Sequence, residues 1–212
     1  MENMPMSASS QIRFGDSDLA AARHVCAFFS SADEHYRVLM PFIKDGFPRG
    51  EKAFHIVDPA LRNEHCDRLR RAGIPVDAAM ESGQLEVRLW EEAYLRGGHF
   101  DQDAMLALIE QVLRNGKSQG FRLTRLVANM EWALEDRPGV HDIVEYESRL
   151  NHILPKYDDP VICVYDLAKF DAETLMDILR THPVAIIGGI LHENPFYVPP
   201  DEFVKEIRKR PS

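Results

Sequence analysis

The sequence predicts an α/β fold in which a mostly parallel sheet of about six strands is covered by helices on both faces. Two observations carry this prediction. Apolar runs of strand length alternate with amphipathic helical segments along the chain, and parallel neighbours need crossover helices between them. Several runs, such as VICVYD at 161–166, are apolar at successive positions. That pattern indicates strands buried on both faces.

The first half of the chain is predicted to begin with a flexible arm. Residues 1–21 are polar and rich in small residues, which is typical of a loosely held terminus. Three segments then have strand patterns: 23–29, 52–58 and 84–89. Three segments have helical patterns: 34–45, 60–72 and 77–82. Pro41 predicts a kink or an early end in the first of these helices.

The second half repeats the alternation. Strands are predicted at 125–130, 160–166 and 184–187. Helices are predicted at 101–115, 140–154 and 171–180. We expect one α/β domain over 22–198 and a helical tail over 199–212, because no linker-like segment divides the chain.

The stretch THPVAIIGGILHENPFY at 181–197 should supply the last strand of the sheet. His182-Pro183 disfavours helix, and Gly188-Gly189 permits a bulge or a close backbone approach. Polar and aromatic residues at the end of an apolar strand suggest that this strand carries part of a pocket. The alternative is a closing hairpin with no further role.

Composition excludes several classes of function. The net charge of −9 over 212 residues argues against binding to nucleic acid or to an anionic membrane surface. No apolar segment approaches the about 20 residues of a membrane span, and no secretory signal begins the chain. Three cysteines without CxxC spacing suggest a reducing compartment. We therefore expect a cytoplasmic protein.

Ligands of open α/β sheets bind beyond the carboxyl ends of the strands, and several candidate residues fall at predicted strand ends. The ligand-binding candidates are Phe28, Glu131, Trp132, Tyr165, His182, Asn194 and Tyr197. Aromatic walls with a few polar groups are typical of a small-molecule pocket. The alternative is that strand ends are polar only because they meet water.

Glu131 is the candidate with the most specific chemical implication, because a carboxylate beside an apolar strand is costly to bury unless it is paired or protonated. It could act as a general base or accept a hydrogen bond from a ligand. The interpretation we favour is a salt bridge with Arg122, Arg125 or Arg137.

Metal and cofactor signals are weak. His24 and Cys26 should face the same side of a strand, and with His55 they could hold a metal. Packed core residues explain this spacing better, so we predict no metal site, no cofactor and no catalytic residue. The chain has no GxxxxGK[ST] or GxGxxG motif, so P-loop nucleotide hydrolysis is not expected.

Short motifs in a defined order give the chain a resemblance to a known family. They include His24-Val25-Cys26-Ala27-Phe28-Phe29, Met130-Glu131-Trp132-Ala133, Tyr165-Asp166, Thr181-His182-Pro183 and Glu193-Asn194-Pro195-Phe196-Tyr197. Together they span roughly 23–197, and on them the chain resembles the MEDS domain family, the methanogen/methylotroph, DcmR-type sensory domains.

The resemblance implies a non-catalytic sensory domain for small hydrocarbon derivatives, with a RecA/KaiC-like core that lacks a working P-loop. Family members are commonly joined to kinase or DNA-binding modules. We expect here a stand-alone domain that binds a small organic ligand and relays this to a signalling partner, a kinase or a transcription regulator; self-association is a further partner hypothesis. The alternatives are a ligand-free interaction scaffold and a nucleotide-binding enzyme that uses Glu131 as its base.

Overall fold

A computed structural model describes residues 12–14, 17–19 and 23–210. Its centre is a seven-stranded sheet. The strands of this sheet are β3 (His24–Phe29), β4 (Lys52–Val57), β5 (Leu85–Leu89), β6 (Thr124–Asn129), β7 (Val161–Asp166), β8 (Val184–Ile187) and β9 (Ile190–Glu193). The order across the sheet is β5-β4-β6-β7-β3-β8-β9. All neighbours are parallel except β8 and β9.

Helices cover both faces of the sheet, and each face has its own apolar core. One face packs against α1 (Ala32–Gly46), α2 (Arg62–Arg71) and α3 (Val76–Glu81). The other packs against α4 (Gln102–Ser118), α5 (Ile143–Leu150) and α6 (Ala172–Thr181). In the tail, α7 (Pro200–Ile207) buries Phe203 and contacts α5 and α6. Among the described residues no helix has the length and apolar character needed to cross a membrane.

The predicted fold class is therefore confirmed. The apolar runs form the buried strands, and β3, β4, β6 and β7 are buried over almost their whole length. Helix α1 begins where Ser31 accepts a hydrogen bond from the Glu34 backbone N–H at 3.2 Å, an N-cap that satisfies one free donor of the first turn. Contrary to the expectation for Pro41, the helix continues through it to Gly46.

The structure differs from the expected flexible arm within 1–21. Strands β1 (Ile12–Phe14) and β2 (Ser17–Leu19) form an antiparallel pair. Ile12, Phe14 and Leu19 are buried, and the Phe14 ring centroid lies 6.1 Å from that of Phe42 on α1. Alternating apolar residues explain the pair, because they place one face of β1 against the core. Residues 1–11 lie outside the described residues.

The stretch at 181–197 forms the closing hairpin rather than one long strand. Gly188 and Gly189 have φ values of 60° and 79°, a left-handed conformation that glycine adopts without a Cβ clash. The chain therefore reverses, and β9 runs back antiparallel to β8. Because of this reversal, the polar end of the stretch lies beside the start of β8, where the Asn194 N–H donates to the Pro183 carbonyl.

Candidate functional site

The predicted ligand-binding residues do not form one pocket. Glu131 and Tyr165 lie at the carboxyl ends of β6 and β7, with Phe28 and Trp132 packed nearby. His182 precedes β8 at the opposite edge of the sheet. Because β9 returns along β8, Asn194 and Tyr197 also lie at that amino edge. The structure thus brings the candidates together in two groups.

The first group lies around a small cleft, which we call the carboxyl-edge cleft. Its volume is about 60 Å³, room for a molecule of a few heavy atoms, since one water in the liquid takes about 30 Å³. It lies between the ends of β3, β6 and β7 and the start of α1. The main lining residues are Phe29, Ser31, His35, Tyr36, Leu61, Asn129, Glu131, Val164, Tyr165, Asp166 and Lys169.

Glu131 is the charged group nearest the protein interior in this cleft. Its side chain is 14% exposed, and Oε1 lies 3.7 Å from Nζ of Lys169. Its other oxygen, Oε2, is buried without a hydrogen-bond partner among the described residues. Burial raises the pKa of this carboxyl group, partly offset by the Lys169 charge. Glu131 is therefore able to accept, or when protonated to donate, a hydrogen bond to a ligand.

The favoured salt bridge between Glu131 and an arginine is wrong. Arg125 lies near the amino end of β6, where Nε donates to Glu51 Oε2 at 2.6 Å. Its guanidinium also contacts Asp45 and the carbonyl of Phe42. Glu131 follows the carboxyl end of the same strand, so the length of β6 separates the two charges.

Tyr165 contributes a second buried polar atom without a partner. Its hydroxyl has no hydrogen-bond partner among the described residues, and burial raises the pKa of this hydroxyl well above its usual value. The ring centroid lies 5.9 Å from that of Phe28. The Tyr165 side chain packs with Phe28 and Cys163 in the core on the α5 side of the sheet, so its hydroxyl does not face the cleft.

Trp132 does not line the cleft. It is fully buried, and its ring stacks on Tyr94 with centroids 4.4 Å apart. Phe100 packs against it at 4.5 Å. Aromatic packing of this kind stabilises the core beneath the strand ends. Trp132 is therefore a core residue that supports the position of Glu131.

A chain of buried histidines lies beneath the cleft. The Tyr36 hydroxyl is 2.7 Å from Nδ1 of His65, and Nε2 of His65 is 2.8 Å from Nδ1 of His55. Burial lowers the pKa of His65 to about 4 and that of His35 to about 3, so both rings are neutral at pH 7. Sequence reasoning missed His35 and His65 because each stands alone on a helix.

The start of α1 is supplied with its own anion. Glu34 Oε2 accepts a hydrogen bond from the Ser30 backbone N–H at 2.8 Å, in addition to the Ser31 cap. Asp33 is also acidic in the first turn. Backbone amides at a helix start attract anions, and here the carboxylates of Asp33 and Glu34 supply the negative charge.

The carboxyl ends of β4 and β5 border a wider cleft of about 400 Å³. Its lining includes Asp58, Trp90, Glu135 and Arg137. Glu135 and Arg137 in this lining are exposed to solvent, whereas the carboxyl-edge cleft contains a buried carboxylate oxygen, Glu131 Oε2. The wider cleft is therefore the weaker candidate for a specific small ligand.

The second group lies around four buried side chains, which we call the amino-edge cluster: His24, Glu147, Cys163 and His182. One nitrogen, oxygen or sulfur atom of each lies within 4.8 Å of all the others. Glu147 Oε2 is 3.1 Å from His24 Nε2, 3.3 Å from His182 Nε2 and 3.6 Å from Cys163 Sγ. Burial lowers the pKa of His24 to about 4. Burial alone would raise the pKa of Glu147, but the two histidines hold it at about 2.

Asn194 and Tyr197 frame this edge. The Asn194 side-chain amide donates to the backbone carbonyls of Leu179 and His182 at 2.6 and 2.7 Å, so it fixes the backbone on which His182 stands. Tyr197 lines a cavity of about 310 Å³ together with His24 and Asn151. Asn194 is therefore a positioning residue, and Tyr197 borders a separate cavity.

The weak metal set of the sequence is not assembled. His24 and Cys26 share a face of β3 as predicted, but His55 points to the opposite core, against His65. Sequence reasoning missed Glu147 and Cys163. The sequence does contain a signal for Glu147. It lies four residues after Ile143, on the helix face that Ile143, Tyr146 and Leu150 bury, and a charge is unusual on such a face.

Comparisons with known proteins agree with this architecture. The model of the family described as "MEthanogen/methylotroph, DcmR Sensory domain", MEDS, matches residues 23–183. The chain is similar to the transcriptional repressor DcmR of Methylorubrum extorquens, with 25% identity over 167 residues that cover 78% of this chain. The chain spans only about 60% of the length of that repressor.

Two solved structures share the fold. A KaiC-like protein from Pyrococcus horikoshii OT3 matches with a TM-score of 0.52 and 16% identity, over 77% of this chain and 70% of that one. The flagellar accessory protein FlaH from Methanocaldococcus jannaschii matches with a TM-score of 0.50 and 10% identity, over 80% and 75%. At such identities the likeness shows the fold alone, which confirms the expected RecA/KaiC-like core.

Proposed function

The chain belongs to the MEDS family of sensory domains, and from that premise we propose that it binds a small organic molecule in the carboxyl-edge cleft without converting it. The observation that carries the proposal is Glu131 Oε2, a buried carboxylate oxygen at the cleft without a hydrogen-bond partner among the described residues. A buried polar group without a partner costs about 1–3 kcal/mol. A ligand that hydrogen-bonds to this oxygen would recover that free energy.

The size and walls of the cleft support a small, partly apolar ligand. The volume of about 60 Å³ suits a molecule of a few heavy atoms, in line with the about 30 Å³ that one liquid water occupies. Phe29, Tyr36 and Leu61 supply apolar surface, and Asn129 adds an amide. One- to four-carbon alcohols, ketones, amides or amines combine such surface with a hydrogen-bonding group.

The electrostatics of the cleft support an organic ligand over a nucleotide. The Glu34 carboxylate accepts a hydrogen bond from the Ser30 backbone N–H just before α1, which puts a negative charge beside the helix start, where phosphates bind in nucleotide-binding α/β folds. Glu131 and Asp166 face the same cleft, with Lys169 as the lining cation. Repulsion between these carboxylates and a polyphosphate disfavours the enzyme alternative.

We further propose that the β8–β9 hairpin passes the bound state to a partner protein, a kinase or a transcription regulator. Ile190 in the hairpin and Phe196 just after it are 59% and 61% exposed. Among the described residues β9 is the outermost strand on its side of the sheet, and an edge strand presents unpaired backbone groups. Gly189 lies close to Val38 of α1, the helix that borders the cleft. The related repressor supports a regulatory role of this kind.

The test is a binding measurement on matched variants. A panel of one- to four-carbon alcohols, ketones, amides and amines is titrated against the full chain, and binding is followed by the shift of the melting temperature and by calorimetry. For a compound that binds, Glu131→Gln should raise Kd by roughly 10- to 100-fold, since hydrogen bonds to a charged group contribute about 1.5–3 kcal/mol. Tyr165→Phe should leave Kd unchanged, because the Tyr165 hydroxyl lies in the core on the α5 side of the sheet.

Glu135→Gln is the control, because Glu135 is exposed and lines the wider cleft. It should leave Kd unchanged. Equal losses in both glutamate variants would move the site to the wider cleft. A panel with no saturable binding would contradict the ligand proposal and favour the interaction scaffold.

A further inference from the structure

We propose that His24, Glu147, Cys163 and His182 form a binding site for one transition-metal ion, with Zn²⁺ as the metal that fits best. The proposal stands on the amino-edge cluster and is independent of the ligand proposed for the carboxyl-edge cleft. It concerns four side chains from β3, α5, β7 and the connection between α6 and β8.

Four of the six distances between the ligand atoms match the edges of a tetrahedral site, and the two from His182 Nε2 to His24 Nε2 and to Cys163 Sγ are within 4.8 Å. With metal–nitrogen and metal–oxygen bonds of about 2.0–2.1 Å, the edges of a tetrahedron are about 3.3 Å, and a sulfur at about 2.3 Å lengthens its edges to about 3.6 Å. The distances from Glu147 Oε2 to the two Nε2 atoms are 3.1 and 3.3 Å. Cys163 Sγ lies 3.6 Å from that oxygen and 3.8 Å from His24 Nε2.

The hydrogen bonds around the cluster fix the orientation of His24. The Asn151 amide nitrogen donates to the backbone carbonyls of Glu147, Ser148 and Thr181 at 3.3, 3.1 and 2.8 Å. Its oxygen must then face His24 Nδ1, which is 3.1 Å away, so this nitrogen carries the proton. In a neutral ring the lone pair is on Nε2, directed at Glu147.

His182 is fixed in the same way. Its Nδ1 lies 2.8 Å from the backbone carbonyl of Ile178, which can only accept, so Nδ1 carries the proton. Its Nε2, buried and 3.3 Å from Glu147 Oε2, makes no hydrogen bond among the described residues. When both rings are neutral, two lone pairs and a carboxylate therefore converge on one point inside the protein. A cation is needed there: a proton shared between a ring and Glu147 in the metal-free protein, or a metal ion in its place.

The donor set selects the metal. One thiolate, two imidazoles and one carboxylate suit Zn²⁺, whereas Mg²⁺ and Ca²⁺ require oxygen ligands. When the metal binds, the Cys163 thiol loses its proton to water and a metal–sulfur bond forms. The two positive charges of Zn²⁺ are then balanced by the thiolate and the Glu147 carboxylate, so the buried unit is neutral. Four protein ligands close the site, which indicates a structural or regulatory metal.

The cluster lies next to a cavity at the amino edge of the sheet. This cavity of about 310 Å³, which Tyr197 borders, includes His24 and Asn151 in its lining. The bound ion would join α5 to two strands of the sheet and to the connection before β8, and binding free energy of this kind adds to the stability of the folded state.

The experiment measures metal in the protein itself. The 212-residue chain, purified without chelator, is analysed by elemental mass spectrometry. Metal-stripped protein is then titrated with Zn²⁺ and with Co²⁺. We expect about one equivalent per chain, a rise in melting temperature on adding Zn²⁺, and a Co²⁺ spectrum with a sulfur-to-metal charge-transfer band and intense tetrahedral bands. Cys163→Ser should abolish the charge-transfer band, and His182→Asn should lower the affinity at least 10-fold.

Cys66→Ser and His55→Asn are the matched controls, since both residues are buried on the opposite side of the sheet. Each should bind one equivalent as the unchanged chain does. The metal content and the Co²⁺ spectrum of the unchanged chain test the proposal even where a variant fails to fold. Less than a tenth of an equivalent of metal, with no tetrahedral Co²⁺ spectrum and no effect of Zn²⁺ on melting, would overturn the proposal. The cluster would then be a hydrogen-bonded network whose protons lie between the histidines and Glu147.

Discussion

At the scale of single residues, two glutamates show how surroundings decide the role of one side-chain type. Glu131 lies at the edge of the protein interior beside Lys169, and burial raises the pKa of its carboxyl group. Glu147 is fully buried between two histidines, which hold its pKa at about 2. The first is suited to a ligand that comes and goes, and the second to a permanent charge or metal partner.

The buried histidines near the cleft predict a loss of stability in acid. The pKa of His35 is lowered to about 3 and that of His65 to about 4 by burial, from about 6.5 in the unfolded chain. Between pH 6.5 and about 4 the unfolded state binds these protons and the folded state does not, so the free energy of unfolding falls as the pH falls. By pH 4.5 each histidine should account for roughly 2–3 kcal/mol of the loss.

His35→Phe tests this prediction, because a phenyl ring can keep the stacking on Phe29 and Tyr36 without titrating. Urea unfolding at pH 7 and at pH 4.5 should show a smaller loss in this variant, by on the order of 2 kcal/mol. His141→Asn is the control, since the His141 side chain is 80% exposed. Equal losses in the unchanged chain and in His35→Phe would show that His35 does not set the acid sensitivity.

At the scale of elements, the turn before the helical segment at 140–150 holds the aromatic layer in place. Gly139 has a φ of 84°, and an added Cβ would meet the Phe100 carbonyl. The Phe100 N–H donates to the Pro138 carbonyl at 2.9 Å, which keeps the Phe100 ring over Trp132. The same few residues thus join the loop at 90–100 to the segment that carries Glu131.

Gly139→Ala should lower the free energy of unfolding by on the order of 3 kcal/mol, from about 1–2 kcal/mol for a left-handed alanine and a similar amount for the clash. Gly120→Ala is the control: its φ is 89° with open space around the Cβ position, so only the first part applies. Chemical denaturation measures both. Similar losses at the two positions would mean that the Phe100 contact has no energetic role.

The elements also show how far the sequence could be interpreted. The strands and the larger helices were predictable, because apolar periodicity reflects which faces are buried. The hairpin at Gly188-Gly189 was the alternative interpretation of the stretch at 181–197. The other interpretation, a last strand that ends in the pocket, wrongly placed Asn194 and Tyr197 at the carboxyl edge of the sheet. Glu147 was missed because a charge inside an apolar stripe becomes understandable only when its partners, His24 and His182, are brought there from distant parts of the chain.

At the scale of the whole molecule, the two edges of one parallel sheet carry different chemistry. The carboxyl edge has a small cleft with a carboxylate oxygen of Glu131 that has no hydrogen-bond partner among the described residues. The amino edge has a closed set of metal-ligand side chains around Glu147. Strand β7 runs from one edge to the other, and Cys163 and Tyr165 lie two residues apart on the same face of it.

The most direct test of the account is to locate the bound ligand by two-dimensional ¹H–¹⁵N NMR, titrating the assigned protein with the small organic compounds that shift its melting temperature. The account predicts saturable shifts concentrated at the ends of β3, β6 and β7, around Ser31, Glu131 and Asp166, with smaller shifts in the β8–β9 hairpin. Saturable shifts confined to the cavity around Tyr197, or no saturable shift with any compound, would contradict it.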